Sequence, residues 1–218
     1  GSWLTGCFKL SIDREKQFTS DASHELRTPL AVIKGTMEVL IRKPRNQQEY
    51  EEKIQFCISE VDRLNHMVDQ LLLLARFENQ KQNVKQETIY LNALVLDNLT
   101  RFSEKSESKK LKIKTEFTED YYLVCDNYLV SIIISNLISN AIKYSNPNGE
   151  IAIELGKTND EVTFSITDYG VGIAKNDLDK IFNSFYRSDV SNHPEIKGTG
   201  LGLSIVKRLC DLLKLEIA

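Results

Sequence analysis

The chain has 218 residues, 41% of them hydrophobic and 27% charged, enough apolar side chains for the cores of one or two domains. A formal net charge of −3 gives no electrostatic case for a nucleic-acid partner. The four cysteines Cys7, Cys57, Cys125 and Cys210 are scattered without metal or redox spacing, as expected of reduced thiols in a cytosolic compartment, and no run of about 18 apolar residues is present to span a membrane.

Residues 1–12 open with Gly-Ser and fit no periodic pattern, so they are expected to be a tag or linker remnant outside any domain. From there Phe18, Ala22, Leu26, Leu30, Ile33, Met37 and Leu40 recur at threes and fours, which predicts an amphipathic helix. At roughly 100° per residue, His24 falls about 165° from the middle of that stripe, on the face turned to solvent or a partner. Thr28 shares the face and Glu25 adjoins it, so the three can meet one incoming group. Pro29 lacks a backbone N–H and crowds the Glu25 carbonyl, which predicts a bend one turn beyond the histidine.

After "KPRNQQ" a second helix is predicted, with the stripe Ile54, Ile58, Val61, Leu64, Val68, Leu72 and Ala75. Two long amphipathic helices on a short loop make a hairpin that leaves an apolar face uncovered. A second copy would cover it in a four-helix bundle; the alternative is packing against the chain's own C-terminal part.

The polar stretch "ENQKQNVKQET" marks a change of pattern, and the domain boundary is placed near residue 80, giving a hairpin over 13–79 and a second domain over 80–218. Helical signals in 91–109 and 128–144 alternate there with strand-like runs at 111–117, 150–155 and 162–168. Helices on one face of a mixed sheet predict a two-layer α+β sandwich.

Polar clusters punctuate this domain. Asn136, Asn140 and Lys143 share a helix face, where an amide oxygen suits a hard cation such as Mg²⁺ and an ammonium suits phosphate. In "DYGVGI", Asp168 closes a strand, and Gly170 and Gly172 permit close backbone approach by a ligand. In "GTGLGLSIV", Gly198, Gly200 and Gly202 lead into a helix whose first-turn amides can hold a phosphate. No Gly-x-x-x-x-Gly-Lys-Ser/Thr is present, and the last cluster is one residue short of a dinucleotide fingerprint with no strand before it.

The run Ser-His-Glu-Leu-Arg-Thr-Pro-Leu at 23–30 resembles the phosphoacceptor box of sensor histidine kinases. The later order of asparagine box, Asp-x-Gly-x-Gly, "FNSFYR" and Gly-Thr-Gly-Leu-Gly is similar to the Bergerat-type ATP-binding domain of that family. The resemblance implies an all-α hairpin, a four-helix bundle as a homodimer, followed by an α+β ATP-binding domain. It implies that His24 accepts the γ-phosphoryl of ATP, that Glu25 orients and deprotonates it, and that Thr28 positions a hydrolytic water. Asn140 would ligate Mg²⁺, Asn136 and Lys143 would lie against the phosphates, and Asp168 would take a hydrogen bond from the adenine amino group. Gly170, Gly172, Gly198, Gly200 and Gly202 would shape the pocket, with Tyr144, Ile173, Thr199 and Leu201 beside it. Residues 174–197 would form a lid bearing Phe182, Phe185, Tyr186 and Arg187, and Arg187 or Arg27 would add charge at the transferring group.

The implied partner is a response regulator receiver domain. The family also implies a sensor upstream, so the chain is expected to be the cytoplasmic part of a protein anchored in the bacterial membrane. A further pair of strand segments is implied beyond "LEIA". Two rival readings are a nucleotide-binding pseudokinase or phosphotransfer scaffold and an ATPase of the chaperone or topoisomerase class, which would leave 23–30 unexplained.

Overall fold

The computed structural model describes the backbone of residues 2–79, 84–158, 161–188 and 198–217, and their side chains except those of 2–15 and 77–79. The chain divides into two compact units, Gly1–Ala75 and Arg76–Ala218.

The first unit is a helical hairpin of α1 (Ser2–Ile41) and α2 (Gln47–Asn79). The segment 2–12, which fits no apolar pattern, is nonetheless helical and forms the first turns of α1. Helical hydrogen bonds are local and need no apolar stripe. Pro29 lies buried inside α1, and the helix runs on past it to Ile41. Asn46 starts α2: its Oδ1 accepts from the Glu49 amide at 2.8 Å, and its Nδ2 donates to the Glu49 carboxylate at 3.3 Å. Arg45 ties the loop down, donating to Glu49 at 3.3 Å and to the Val39 carbonyl at 3.4 Å.

The apolar stripe of α1 is largely turned inward, with Leu40 buried and Phe18, Ala22, Leu26 and Ile33 half-buried, whereas most of the α2 stripe is not what this hairpin buries. Among its described side chains the buried positions are Pro29 and Leu40 on α1 and Cys57, Glu60, Met67, Gln70 and Leu74 on α2. Glu60, Met67 and Leu74 recur at seven, the spacing of a coiled-coil seam. Of the α2 stripe, Ile54, Ile58, Val61, Val68 and Leu72 are 41% to 52% exposed, and Leu30 and Met37 of α1 are exposed as well. α2 therefore has two apolar faces, and a single chain covers one of them.

The second unit begins with β1 (Glu87–Tyr90), then α3 (Leu91–Arg101) and α4 (Ser103–Ser108). The single helix expected over 91–109 breaks at Phe102, whose backbone leaves the helical region. β2 (Lys112–Phe117), β3 (Tyr122–Cys125), α5 (Asn127–Tyr144), β4 (Glu150–Thr158), β5 (Glu161–Asp168) and α6 (Gly202–Leu213) follow. β4 is central, parallel to β2 and antiparallel to β5, with Ile151 opposite Asp168. β1 and β3 form a separate antiparallel pair, Glu87 opposite Cys125 and Tyr90 opposite Tyr122. The sequence does not reveal this pair because strands of four residues are too short to show a period.

The expected two-layer α+β sandwich holds. Ile151, Ile153 and Leu155 of β4 turn inward against Val95 of α3 and Val130, Ile134, Ile138, Ala141 and Ile142 of α5. On the other sheet face Glu154 is exposed, as are Thr163, Ser165 and Thr167 of β5, so the sheet carries helices on one side.

Candidate functional site

His24 is exposed on α1, and Glu25 beside it is half-buried. Thr28 is exposed too, and its hydroxyl donates to the His24 carbonyl at 3.2 Å. The histidine thus stands on the face away from the buried seam, and its hydroxyl neighbour is pinned to its backbone.

α5 organises the second unit. Asp126 caps it, accepting from the Leu129 amide at 3.1 Å and from the Lys85 amide at 3.1 Å. Asn136, Asn140, Lys143 and Tyr144 are all half-buried along it. Asn136 donates to the Ile132 carbonyl at 2.9 Å. Lys143 Nζ donates to the Tyr144 hydroxyl at 3.1 Å and lies 4.6 Å from the Tyr144 ring centroid. Burial pushes the Tyr144 phenol above its usual range, and Arg187 opposes that rise.

The two glycine clusters close on this face. A Cβ on Gly170 would stand 2.0 Å from the Tyr144 carbonyl oxygen, and the Val171 amide donates to that oxygen at 3.2 Å. Gly170 therefore lets the loop after β5 meet the end of α5. Asp168 is exposed at the end of β5 and accepts from the Gly170 amide at 3.0 Å. Gly172 has φ +68° with open space around it, and Ile173 is exposed beside it.

From the other side, a Cβ on Gly202 would stand 2.9 Å from Asn136 Oδ1 and 3.8 Å from Asn140 Nδ2, and one on Gly198 would stand 2.1 Å from Lys143 Nζ. Gly200, at φ +70°, accepts at its carbonyl from the Phe185 amide at 2.9 Å. Thr199 Oγ1 accepts from the Leu201 amide at 3.3 Å, and Leu201 is buried at the start of α6. Ile205, Val206 and Leu209 bury the apolar face of α6, which packs on α5. Polar amides, an ammonium, backbone N–H groups of a helix start and a terminal aspartate thus surround one end of one helix.

Of the segment expected to form a lid, 174–188 is described and 189–197 lies outside the described residues. A short 3₁₀ turn at Lys175–Asp177 opens it. The Asp177 carboxylate accepts from the Tyr186 hydroxyl at 2.7 Å and from the Ser188 hydroxyl, with Lys180 at 3.9 Å. The two hydroxyls hold the Asp177 carboxyl below its usual range and, reciprocally, the carboxylate pushes the Tyr186 phenol up. Phe185, held at φ +64° between these anchors, is the residue that meets Gly200.

Residues 14–80 match the family profile described as His Kinase A (phospho-acceptor) domain, and residues 125–218 match Histidine kinase-, DNA gyrase B-, and HSP90-like ATPase. The sensor protein IrlS of Burkholderia pseudomallei is 32% identical over 92% of this chain. The sensor-like histidine kinase SenX3 of Mycolicibacterium smegmatis is 31% identical over 89% of it. The chain spans 43% and 50% of those relatives' lengths. The structure of the Acinetobacter baumannii histidine kinase AdeS superposes with a TM-score of 0.69 at 28% identity, over 88% of this chain and 87% of the other.

The chain belongs to the sensor histidine kinases.

In this chain the phospho-acceptor profile contains His24, Glu25 and Thr28, and the ATPase profile contains the asparagine, Asp-x-Gly and glycine-rich clusters gathered around α5. Glu25 and Thr28 flank His24 on one helix, while Asn136, Lys143, Tyr144, Gly170, Phe185, Gly198, Gly200 and Gly202 come together through the contacts described above. Among the described residues no cluster of three or more His, Cys, Asp or Glu side chains is present to hold a metal.

Two residues at the site were not found from the sequence. Lys109 Nζ donates to the carbonyls of Ile142, Lys143 and Ser145 at 3.0, 2.7 and 3.1 Å, closing the C-terminal end of α5. Asp177 gathers the Tyr186 and Ser188 hydroxyls. Neither belongs to a motif, and each acts through partners that only folding brings near.

Proposed function

We propose that this chain is the catalytic portion of a sensor histidine kinase, a hairpin domain over 13–79 and an ATP-binding domain over 80–218, and that it transfers the γ-phosphoryl of ATP to His24. The observation that carries the reading is the convergence of the asparagine, Asp-x-Gly and glycine-rich clusters on α5, in a chain that also presents an exposed histidine on α1.

The residues suit the nucleotide. Asp168 at the edge of the site accepts the adenine amino group. Lys143 and the amides at the start of α6 meet the phosphates. One Asn140 amide oxygen is a fitting protein ligand for Mg²⁺, which takes few protein donors and completes its shell with phosphate and water. Mg²⁺ bound there with ATP supplies charge neutralisation at the phosphates. Arg187, whose positive charge reaches Tyr144, adds to the cationic side of the pocket.

At His24, the lone pair of one ring nitrogen forms a bond to the γ-phosphorus while the bond to the β-γ bridging oxygen breaks and ADP leaves with that electron pair. The proton on the other ring nitrogen passes to Glu25. Exposure of His24 leaves its nitrogens open to a separate domain, and positioning supplies much of the rate. The phosphoryl then passes to an aspartate of a response regulator receiver domain. In the reverse sense, Thr28 aligns a hydrolytic water. Its hydrogen is committed to the His24 carbonyl, so its oxygen acts as the acceptor.

The exposed stripe of α2, with Leu30 and Met37 of α1 exposed as well, supports the hairpin as one half of a homodimeric four-helix bundle. No helix among the described residues is long and apolar enough to cross a membrane. Attachment of the full-length protein to the bacterial membrane, with these domains in the cytoplasm, is part of the same proposal.

The test is incubation with γ-labelled ATP and Mg²⁺, the wild type beside His24→Ala, Asn140→Ala and Asp168→Ala. Label stable to base, labile to acid and absent from all three variants is the expected result. Label that survives in His24→Ala would refute the acceptor, and a wild type that binds nucleotide without being labelled would point to a pseudokinase.

A further inference from the structure

The C-terminal end of a helix leaves its last carbonyls without intrahelical partners, and a cation placed there both satisfies them and opposes the helix dipole. In α5 that end is also where Lys143 and Tyr144 sit and where the loop after β5 attaches, through Val171 N–H to the Tyr144 carbonyl. The last turn of α5 thus sets the distance between the asparagine face and the Asp168 loop.

Lys109 holds that turn from outside. It lies just beyond α4, and its ammonium donates to the carbonyls of Ile142, Lys143 and Ser145 at 3.0, 2.7 and 3.1 Å. An ammonium has three N–H donors, and here three carbonyls converge on it. The backbone reinforces the grip: the Lys109 carbonyl accepts from the Asn148 amide at 2.9 Å, so the turn that follows α5 folds back onto the same residue. By contrast Lys105, one turn earlier, lies 5.9 Å from the Phe102 ring on the exposed side of α4.

We propose that Lys109 is a positioning residue for the nucleotide. By clamping the last turn of α5 it fixes Lys143 and the Tyr144 carbonyl, and with them the loop that carries Asp168. The proposal rests on the nucleotide site described above. Lys109 touches no phosphate and acts through backbone placement, so its loss weakens ADP and ATP alike, whereas a direct electrostatic role would penalise the more highly charged ATP more.

The experiment uses the whole chain and titrates ADP and ATP into wild type, Lys109→Met, Lys109→Arg and Lys105→Met, at a temperature where each is folded by circular dichroism. Lys109→Met is expected to raise both Kd values about 10-fold, the loss that follows from a hydrogen bond to a charged group. In autophosphorylation it raises KM for ATP and leaves kcat within about 3-fold. Lys109→Arg keeps charge and length, but a planar fork cannot point three donors inward as an ammonium does, so a smaller rise of about 3-fold is expected. Lys105→Met is expected to match wild type. A lowered melting temperature with unchanged nucleotide affinity would make Lys109 a stabiliser only and overturn the proposal. If Lys109→Met fails to fold, unchanged affinity in Lys109→Arg overturns it in the same way. A selective loss of ATP over ADP would overturn it as well. Wild type that binds neither nucleotide would overturn the site itself.

Discussion

At single positions the structure separates glycines that the sequence treats alike. A methyl on Gly170 would stand 2.0 Å from a backbone oxygen that cannot swing away, while Gly172 faces open space. Gly170→Ala should cost about 1–3 kcal/mol of stability by overpacking and, in the folded protein, weaken nucleotide binding, since the Asp168 loop must shift. Gly172→Ala meets only the left-handed backbone penalty, about 1 kcal/mol. Thermal melts with and without ADP check both, and equal effects would contradict the distinction. Asp177 supplies a test in pH. Its carboxyl is held below the usual range first by the Ser188 hydroxyl and then by that of Tyr186. A depressed folded value favours the carboxylate, so this contribution to stability is complete above the ordinary aspartate range and fades as pH falls through the lowered value. NMR signals of the Tyr186 and Ser188 amides should titrate with a midpoint below that of an ordinary aspartate, and Asp177→Asn should abolish the transition. A midpoint at the ordinary value would show that the knot does not form in solution.

At the level of elements, the two faces of the hairpin call for opposite experiments. Met67 is fully buried, so Met67→Ala should cost about 2–5 kcal/mol within one chain. Ile58 and Val61 are 46% and 44% exposed, so changing both to Glu should leave helix content intact and yield monomers by analytical ultracentrifugation. If that double variant stayed dimeric, the exposed stripe would not be the dimer face. The sequence showed that each helix is amphipathic, because the 3.6-residue period belongs to the helix itself. It did not show which face of α2 is buried, because α2 carries Met67 and Leu74 beside Ile58, Val61 and Val68, and apolar character alone does not rank them. The pair β1 and β3 escaped for a related reason, each strand being four residues whose pairing is visible only across α3 and β2.

Across the whole molecule, two compact units predict two separable responses. ADP at about 100 times its Kd should stabilise the unit that binds it by about 2.7 kcal/mol, while dilution should destabilise the hairpin, whose exposed stripe requires a second copy. Calorimetry should therefore show one transition that moves with nucleotide and another that moves with protein concentration, and a single transition responding to both would contradict this division.

The sequence by itself determined most of the helices, though neither the start of α1 nor the break at Phe102, together with the strands of the larger sheet, the family and the chemical kinds of residue at the site. Those follow from local hydrogen bonding, hydrophobic period and motif order, all of which operate over a few neighbouring positions. Only the tertiary structure decided that Gly202 lies against Asn136, that Gly170 serves the end of α5, that Asp177 gathers Tyr186 and Ser188, and that Lys109 closes the helix that bears the site. Each of those is a contact between residues from different elements or loops, made once packing has placed α5 on β4 and α6 on α5, and no local pattern encodes it.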